Sequence, residues 1–279
     1  SAPTASVTQP TCSVATGTVS VTSGISGLTF TLYNSSNTYT NTSGRFTSVA
    51  SGSYSLTSTT AGGCTSSILS VVVNAQPPTP TASITAGSAT TFCAGGNVVL
   101  TAPSGAYSYT WNTGATTQSI TATTSGSYSV TVTNASGCSA TSTATTITVN
   151  ALPVISVGTI PDVNITSTSF SIPYTVTSGT PTSYSIVAST PAMPSFTTVP
   201  YTAITSSPIS VTIPASASNT YSFNMLVKDG NSCENTHSFT LNVIDANKLS
   251  SSITVTGLTS YTYNGSGQGP STYTKTGST

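Results

Sequence analysis

Polar and apolar residues alternate along this chain in short runs, and turn-forming residues separate the runs. In the run YSVTVT, Tyr128, Val130 and Val132 point to one side, while the intervening serine and threonine side chains point to the other. Runs of this kind are typical of strands with one buried face, and no stretch shows a sustained apolar period of 3.6 residues. The pattern therefore predicts an all-β protein built from short strands.

One phrase recurs along the chain. SGSYSLTSTTAGGC and SGSYSVTVTNASGC each place a tyrosine, Tyr54 or Tyr128, ten residues before a cysteine. A degenerate third copy, YSFNMLVKDGNSC, has Phe223 at the corresponding distance from Cys233. A tyrosine at the start of the penultimate strand that bonds back to nearby backbone is a feature of immunoglobulin-like sandwiches. The phrase therefore predicts the same corner and the same last hairpin in each repeat.

Proline-rich segments separate the copies of the phrase. The segments AQPPTPTA and ALP favour extended, semi-rigid connections. We predict tandem immunoglobulin-like β-sandwich domains, like beads on a string, at 1–76, 77–151 and 152–247. Residues 248–279 are predicted to be the incomplete start of a further β domain, whose unpaired strand edges another subunit could complete by strand addition.

Charge is almost absent from this sequence. The chain contains four Lys and Arg residues and four Asp and Glu residues. Charged residues thus make up 3% of the chain, against roughly 25% in ordinary globular proteins. So few basic residues cannot neutralise a phosphate backbone, which excludes nucleic acid as a partner. No apolar run approaches the length of a membrane span. Five cysteines in a β chain favour an oxidising compartment, most simply the cell exterior.

The cysteines suggest one crosslink in each of the first two repeats. We expect Cys12 to pair with Cys64 and Cys93 to pair with Cys138, each bridge joining an opening strand to the tip of the last hairpin. Cys233 is left over, and it is predicted to be either a free, partly buried thiol or one half of an intermolecular bridge. No C-x-x-C spacing occurs, so these cysteines are not expected to bind a metal.

Three aromatic residues share one face of one predicted strand, because Tyr107, Tyr109 and Trp111 are spaced two apart. One hypothesis is a sugar-stacking platform, since aromatic rings offer apolar faces to pyranose C–H groups. The other is core packing, because a buried tryptophan on the third strand is a hallmark of immunoglobulin-like sandwiches. The core interpretation is favoured.

Residues suited to catalysis are scarce. His237 is the only histidine, so a Ser-His-Asp arrangement would depend on that one imidazole. Paired carboxylates would have to come from Asp162, Asp229, Glu234 and Asp245, all in the third repeat. A calcium site that included Asp229 and Glu234 would lack the D-x-D-x-D loop. We predict no catalytic residue, no cofactor and no metal.

The sequence also resembles known bacterial repeats over roughly residues 1–150. The segments FCAGGNVVLTA and YTWNTGATTQSITATTSGSYSVTVTNASGCSATS resemble the Ig-like (PKD-like) repeats of very large surface proteins of Bacteroidota. CSVATGTVSV, GLTFTLYN and SVASGSYSLTSTTAGGC are similar to the repeat of gliding-motility adhesins, and SYTYNGSGQGP resembles the start of an MBG-type repeat. The third repeat departs from this pattern because it has no first cysteine. The resemblance implies a surface-exposed, type IX-secreted, fibrous or adhesive protein with no catalytic residues to carry over.

Two functions are therefore expected from different classes. The first is a non-enzymatic structural segment of an extracellular adhesin or filament at the bacterial cell surface, with neighbouring copies or other domains of a longer surface protein as its partners. The alternative is a carbohydrate-binding module of a secreted polysaccharide-degrading system, which would bind surface glycans and would need Trp111 or the paired tyrosines to be exposed. A phage tail-fibre protein is a third, weaker hypothesis.

Overall fold

The computed structural model describes residues 1–105 and 107–245, and within them the chain forms strands and turns but no helix. The predicted all-β fold of tandem immunoglobulin-like sandwiches is confirmed. The chain divides into two compact units. Among the described residues, the first contains Ser1–Thr91 and Gly95–Val149, and the second contains Phe92–Ala94 and residues 150–245. The predicted fourth β domain at 248–279, with its proposed strand addition, lies outside the described residues.

The first seven strands form a three-stranded sheet, β1-β2-β5, that packs on a four-stranded sheet, β4-β3-β6-β7. The alternation seen in the sequence places Val19, Phe30, Leu32 and Leu56 between the sheets, and all four are fully buried. The strands are β1 (Ala5–Thr8), β2 (Gly17–Val21), β3 (Leu28–Tyr33), β4 (Thr38–Asn41), β5 (Arg45–Val49), β6 (Gly52–Thr60) and β7 (Leu69–Val73).

The next nine strands form three small sheets, β12-β10-β8, β11-β14-β15 and β13-β16-β9. The penultimate strand is interrupted at Ser129, whose N–H donates to the Asn112 side chain at 3.1 Å. Leu100 and Val130 are fully buried here. The strands are β8 (Thr85–Ala86), β9 (Thr91–Cys93), β10 (Val98–Thr101), β11 (Tyr107–Trp111), β12 (Ser119–Ala122), β13 (Gly126–Tyr128), β14 (Val130–Asn134), β15 (Ser139–Thr141) and β16 (Thr145–Asn150).

The last nine described strands form a five-stranded sheet, β18-β25-β24-β21-β22, and two pairs, β19-β23 and β17-β20. A cluster of rings fills the core, in which Phe223 stacks on Phe239 with ring centroids 5.4 Å apart. The strands are β17 (Val154–Val157), β18 (Val163–Asn164), β19 (Ser169–Ile172), β20 (Tyr174–Ser178), β21 (Pro181–Ala188), β22 (Val199–Ala203), β23 (Ile209–Thr212), β24 (Asn219–Asp229) and β25 (Glu234–Ile244).

The predicted tyrosine corner is present in the first two repeats. The hydroxyl of Tyr54 donates to the carbonyl of Ala50 at 3.0 Å, and that of Tyr128 donates to the carbonyl of Thr124 at 3.0 Å. Both rings are almost fully buried. Each corner therefore fixes the chain where it enters the penultimate strand, as the repeated phrase predicts.

The third repeat corrects the sequence prediction. The corner residue is Tyr221, whose hydroxyl donates to the Ala217 carbonyl at 2.9 Å, and not Phe223. The prediction failed because it assumed the same distance from corner to cysteine in every repeat, whereas the β24–β25 hairpin is two residues longer. Phe223 instead stands two residues after the corner tyrosine, where it is fully buried.

Removing one corner hydroxyl should measure its contribution. We expect Tyr128→Phe to lower the free energy of unfolding of the second sandwich by about 1 kcal/mol, because a buried carbonyl loses its donor. Trp111 is the only tryptophan in the chain and lies in that sandwich, so its fluorescence during urea denaturation reports the change. Tyr107→Phe, in β11 of the same sandwich, is the control, since no hydrogen bond of its hydroxyl to the described residues is seen. Equal losses in both variants would contradict the corner's role.

Candidate functional site: disulfide bridges between repeats

Two disulfides join cysteines of different repeats. Cys12 is bonded to Cys138 and Cys93 to Cys233, with Cα–Cα distances of 5.4 and 5.5 Å. The predicted pairs Cys12–Cys64 and Cys93–Cys138 are therefore wrong, and Cys233, predicted to be unpaired, is bridged. Cys64 is the free cysteine, and it is exposed.

The linker after the first repeat contacts both sides of the first bridge. The Gln76 side-chain amide donates to the Cys12 carbonyl at 2.9 Å. Two residues later, the Pro78 carbonyl accepts a hydrogen bond from the Asn134 side chain at 2.8 Å. The linker thus binds Cys12 on one side and the turn before Cys138 on the other. These contacts, all within the first unit, bring the two sulfurs together across the repeat limit.

The second bridge lies within the second unit. Phe92–Ala94 belong to that unit, and the Ala94 N–H donates to the Asn150 carbonyl at 2.8 Å. Cys93 is the last residue of β9, and Cys233 lies in the turn between β24 and β25. In sequence terms, this bridge again joins one repeat to the next.

The three hairpin cysteines sit in turns of the same construction. In each turn, the residue four positions before the cysteine donates its backbone N–H to the cysteine carbonyl at 3.0 Å. Its side-chain oxygen accepts the cysteine N–H in return. The pairs are Thr60 with Cys64, Asn134 with Cys138 and Asp229 with Cys233, at 3.2, 3.0 and 2.8 Å for the side-chain bond.

The backbone just before each hairpin cysteine is left-handed, with φ of 84° at Gly63, 79° at Gly137 and 65° at Ser232. Glycine adopts this conformation without a steric penalty, which explains two of the three residues. Ser232 shows that the third turn keeps the same path without glycine. The three turns are therefore equivalent in hydrogen bonding and in backbone conformation.

The opening cysteines are equivalent to each other as well. Cys12 and Cys93 each stand five residues before the central strand of a three-stranded sheet, β2 in β1-β2-β5 and β10 in β12-β10-β8. The seventh residue after each, Val19 and Leu100, is fully buried. The third repeat has no cysteine at this place. Each bridge therefore joins the opening cysteine of one repeat to the hairpin cysteine of the following repeat.

The aromatic residues predicted as ligand contacts lie on one strand, β11, as expected, but Trp111 is inside the sandwich. Only 1% of Trp111 is exposed, and its Nε1–H donates to the Thr117 carbonyl at 2.9 Å. Tyr107 and Tyr109 are half-buried. The sugar-stacking role of Trp111 is contradicted, and the core interpretation is confirmed.

The titratable residues of the third repeat are engaged in local contacts. The Asp229 carboxylate accepts the N–H groups of Asn231 and Cys233 at 2.9 and 2.8 Å. Asp162 accepts a hydrogen bond from the Asn242 amide at 3.1 Å. Across residues 1–105 and 107–245, no group of three or more His, Cys, Asp or Glu side chains is arranged to hold a metal ion. In the same ranges, no helix long and apolar enough to span a membrane is found.

Tyr201, Lys228 and Glu234 form a small cluster on the surface of the third repeat. The Tyr201 hydroxyl donates to the Glu234 carboxylate, and Lys228 Nζ lies 3.6 Å from that carboxylate and 4.2 Å from the centre of the Tyr201 ring. Burial and the Glu234 hydrogen bond raise the pKa of Tyr201 to about 12. Tyr201 is still 44% exposed, so the stabilisation that accompanies the raised pKa is small.

The raised pKa gives a testable pH dependence. Folding favours the neutral phenol of Tyr201. Its contribution to the free energy of unfolding is therefore complete below about pH 10, the pKa in the unfolded chain, and is lost as the pH rises through about 12. We expect the difference in tyrosinate absorbance between the wild-type protein and Tyr201→Phe to show a single step, that of Tyr201, near pH 12. Glu234→Gln should move that step to lower pH. An unchanged step in Glu234→Gln would contradict this assignment.

Comparison with known proteins gives structural likenesses only. No family model and no curated protein matches the chain. A solved structure from work on a 1.5-MDa bacterial ice-binding adhesin is 15% identical; the match covers 87% of this chain and 98% of that one, with a TM-score of 0.34. The titin I-band fragment I67–I69 is 14% identical, covers 88% and 99%, and has a TM-score of 0.42.

A third solved structure, the D1–D4 fragment of the ICAM-5 ectodomain, is 12% identical and has a TM-score of 0.41, covering 86% of this chain and 76% of its own. With TM-scores below one half, these likenesses do not bear on function. The fold assignment rests on the strands and their pairing.

Proposed function

We propose that this chain is a non-enzymatic structural segment of an extracellular adhesin or surface filament, in which covalently joined sandwich domains hold a more distant part of the protein away from the cell. The observation that carries the proposal is that both disulfides cross repeat limits. A bridge within one domain stabilises that domain alone. A bridge between domains keeps their order and spacing even when one of them opens, which is useful in a segment under load.

The two bridges also overlap along the sequence. The loop closed by Cys12 and Cys138 and the loop closed by Cys93 and Cys233 share the stretch from Cys93 to Cys138. Because the loops overlap, unfolding of any one sandwich cannot release the full length of its chain. The arrangement limits extension, and it needs no ligand to do so.

The surface chemistry supports the same role. The net charge is zero, and the chain carries only four Lys and Arg residues and four Asp and Glu residues. Long-range repulsion between neighbouring copies is therefore weak, which would permit lateral association. Threonine and serine side chains cover the outward faces of the strands, as in β2 and β14, and keep those faces hydrated without charge.

The finer assignment follows the sequence resemblance. The disulfides support an oxidising compartment outside the cytoplasm. We assign the chain to the bacterial cell surface, with type IX secretion and a gliding-adhesin relationship as part of the proposal, and with other domains of a longer surface protein as its partners. The domain limits 1–76, 77–151 and 152–247 remain part of this proposal. The carbohydrate-binding alternative loses its main residue, because Trp111 is buried.

Immunogold electron microscopy of intact cells would test the proposed location and role. Antibodies raised against the first and third repeats should label cells that have not been permeabilised, at two distinct distances from the envelope. Antibody to a cytoplasmic protein is the control for cell integrity. Labelling that requires permeabilisation, or that lies at one distance for both antibodies, would contradict the proposal.

A further inference from the structure

We infer that Cys64 forms a third bridge of the same kind, to the opening cysteine of a further sandwich repeat that stands ahead of the first. The partner is a cysteine five residues before the central strand of a three-stranded sheet in an immunoglobulin-like sandwich, as Cys12 and Cys93 are. The inference deepens the proposed function and rests on it, because a stalk is extended by adding repeats.

The first support is the behaviour of the two equivalent residues. Cys138 and Cys233 occupy the same turn as Cys64, and both are bonded to an opening cysteine of the repeat before them. Both are fully buried once bridged, whereas Cys64 is exposed. We therefore interpret Cys64 as an equivalent cysteine that is exposed because its partner is not among the described residues.

The second support is the direction of the bridges. An opening cysteine always bonds the hairpin cysteine of the following repeat, so the partner of Cys64 belongs to a repeat that comes before the first. Within the chain, the remaining four cysteines are already bonded to one another. The third repeat has no opening cysteine, so the series of bridges can continue in one direction only.

The turn around Cys64 is compatible with a bridge of the same kind. At the first bridge, the Asn134 amide also binds the linker through Pro78, and Thr60 at the equivalent place cannot reproduce an amide donor. Asp229 cannot do so either, since a carboxylate only accepts, yet Cys233 is bonded. The linker contact is therefore not a condition for the bridge. The common requirement is the turn itself, which Thr60 and Gly63 provide.

The bond forms by thiol–disulfide exchange with a protein disulfide acting as the oxidant. The thiolate of one cysteine attacks a sulfur of the oxidant's disulfide and displaces the other sulfur as a thiolate. The second cysteine then attacks the mixed disulfide. The two protein thiols lose two protons and two electrons, one S–S bond forms between them, and the oxidant's disulfide is reduced to a dithiol.

Peptide mapping of the protein as it is secreted would test the inference. The protein is collected without reductant, its thiols are blocked with N-ethylmaleimide, and it is digested with chymotrypsin, because four Lys and Arg give few tryptic sites. We expect the Cys64 peptide to be disulfide-linked to a peptide whose cysteine precedes a predicted strand by five residues. If the protein has the same apparent mass on gels run with and without reductant, the partner of Cys64 lies in the same polypeptide. If reductant lowers the mass, the partner lies in another polypeptide.

Several outcomes would overturn the inference. Cys64 recovered as the maleimide adduct, linked to a small thiol, to a second Cys64 or to any of the other four cysteines would each do so. A matched variant, Cys64→Ser, should leave the Cys12–Cys138 and Cys93–Cys233 peptides unchanged while the Cys64 crosslink disappears. A blocked, unbridged Cys64 in a protein that still labels at two distances from the envelope would defeat this inference alone and leave the proposed function standing.

Discussion

Pulling the chain from its two ends in a force spectrometer should yield a far shorter extension when the disulfides are intact. Under oxidising conditions, the covalent path from Cys12 to Cys233 crosses to Cys138, returns to Cys93 and crosses again. That path contains about 45 residues, or about 150–160 Å of extended chain. After reduction, the same two residues are separated by about 220 residues, or about 730–800 Å. We expect about a fivefold difference in the length released between them.

The reason is the overlap of the two loops rather than their number. If the bridges were local, Cys12 to Cys64 and Cys93 to Cys138, the released path would contain about 125 residues, or about 410–450 Å. The experiment therefore separates the observed pairing from the local pairing by length alone. It also measures the property on which the proposed function depends, which is limited extension under load.

Two variants make this measurement specific. The double variant Cys93→Ser with Cys233→Ser keeps one bridge, and the path from Cys138 to Cys233 then gives about 95 residues, or about 310–340 Å. Cys64→Ser prevents exchange with the free thiol during the pull and should leave the oxidised length unchanged. An oxidised length near 430 Å would show that the bridges are local, and no dependence on reductant would show that they are absent.

Much of the fold follows from the sequence, because the determinants are local. Alternation in YSVTVT places Val130 and Val132 inside and the threonines outside, and burial of the valines bears this out. The corner at Tyr54 and Tyr128 depends on a carbonyl only four residues away. Such features are encoded within one hairpin, and the repeated phrase displays them directly.

The cysteine pairing could not be predicted in the same way, because it depends on contacts between successive repeats and not on the sequence within one repeat. Two opening cysteines and three hairpin cysteines allow either a pairing within repeats, which leaves Cys233 over, or a pairing between neighbours, which leaves Cys64 over. Short loops appear favourable on entropic grounds, since the cost of closure rises with loop length. That cost grows slowly, however, so loop length alone does not decide the pairing. The contacts of Gln76 and Pro78, which lie beside the first bridge, are not visible in the sequence pattern.

One signal for the correct pairing was present in the sequence. The third repeat lacks an opening cysteine but keeps its hairpin cysteine, with an aspartate four residues before it. A cysteine in a turn built like the bridged ones is better explained by a partner outside its own repeat than by a free thiol. The same reasoning, applied to the first repeat, is what leads to Cys64.

Replacing the single tryptophan should strongly destabilise the second sandwich. Trp111 is 1% exposed, and its indole N–H is bonded to the Thr117 carbonyl. We expect Trp111→Ala to lower the free energy of unfolding by about 3–5 kcal/mol, because the substitution leaves a large cavity and an unpaired carbonyl. In calorimetry this would appear as a transition displaced by about 4–8 °C for each kcal/mol, while the other transitions stay in place.

The control for this prediction is Val99→Ala, a neighbouring strand residue that is 43% exposed. Its free energy of unfolding should change by less than about 0.5 kcal/mol, since surface substitutions rarely do more. The wild-type tryptophan fluorescence should also resist quenching by acrylamide and stay unchanged when soluble glycans are added. A Trp111→Ala protein that melts normally but no longer binds a glycan would instead place the ring on the surface and restore the carbohydrate-binding hypothesis. The substitution therefore separates the two hypotheses, because a structural domain would lose stability and a carbohydrate-binding module would lose glycan binding.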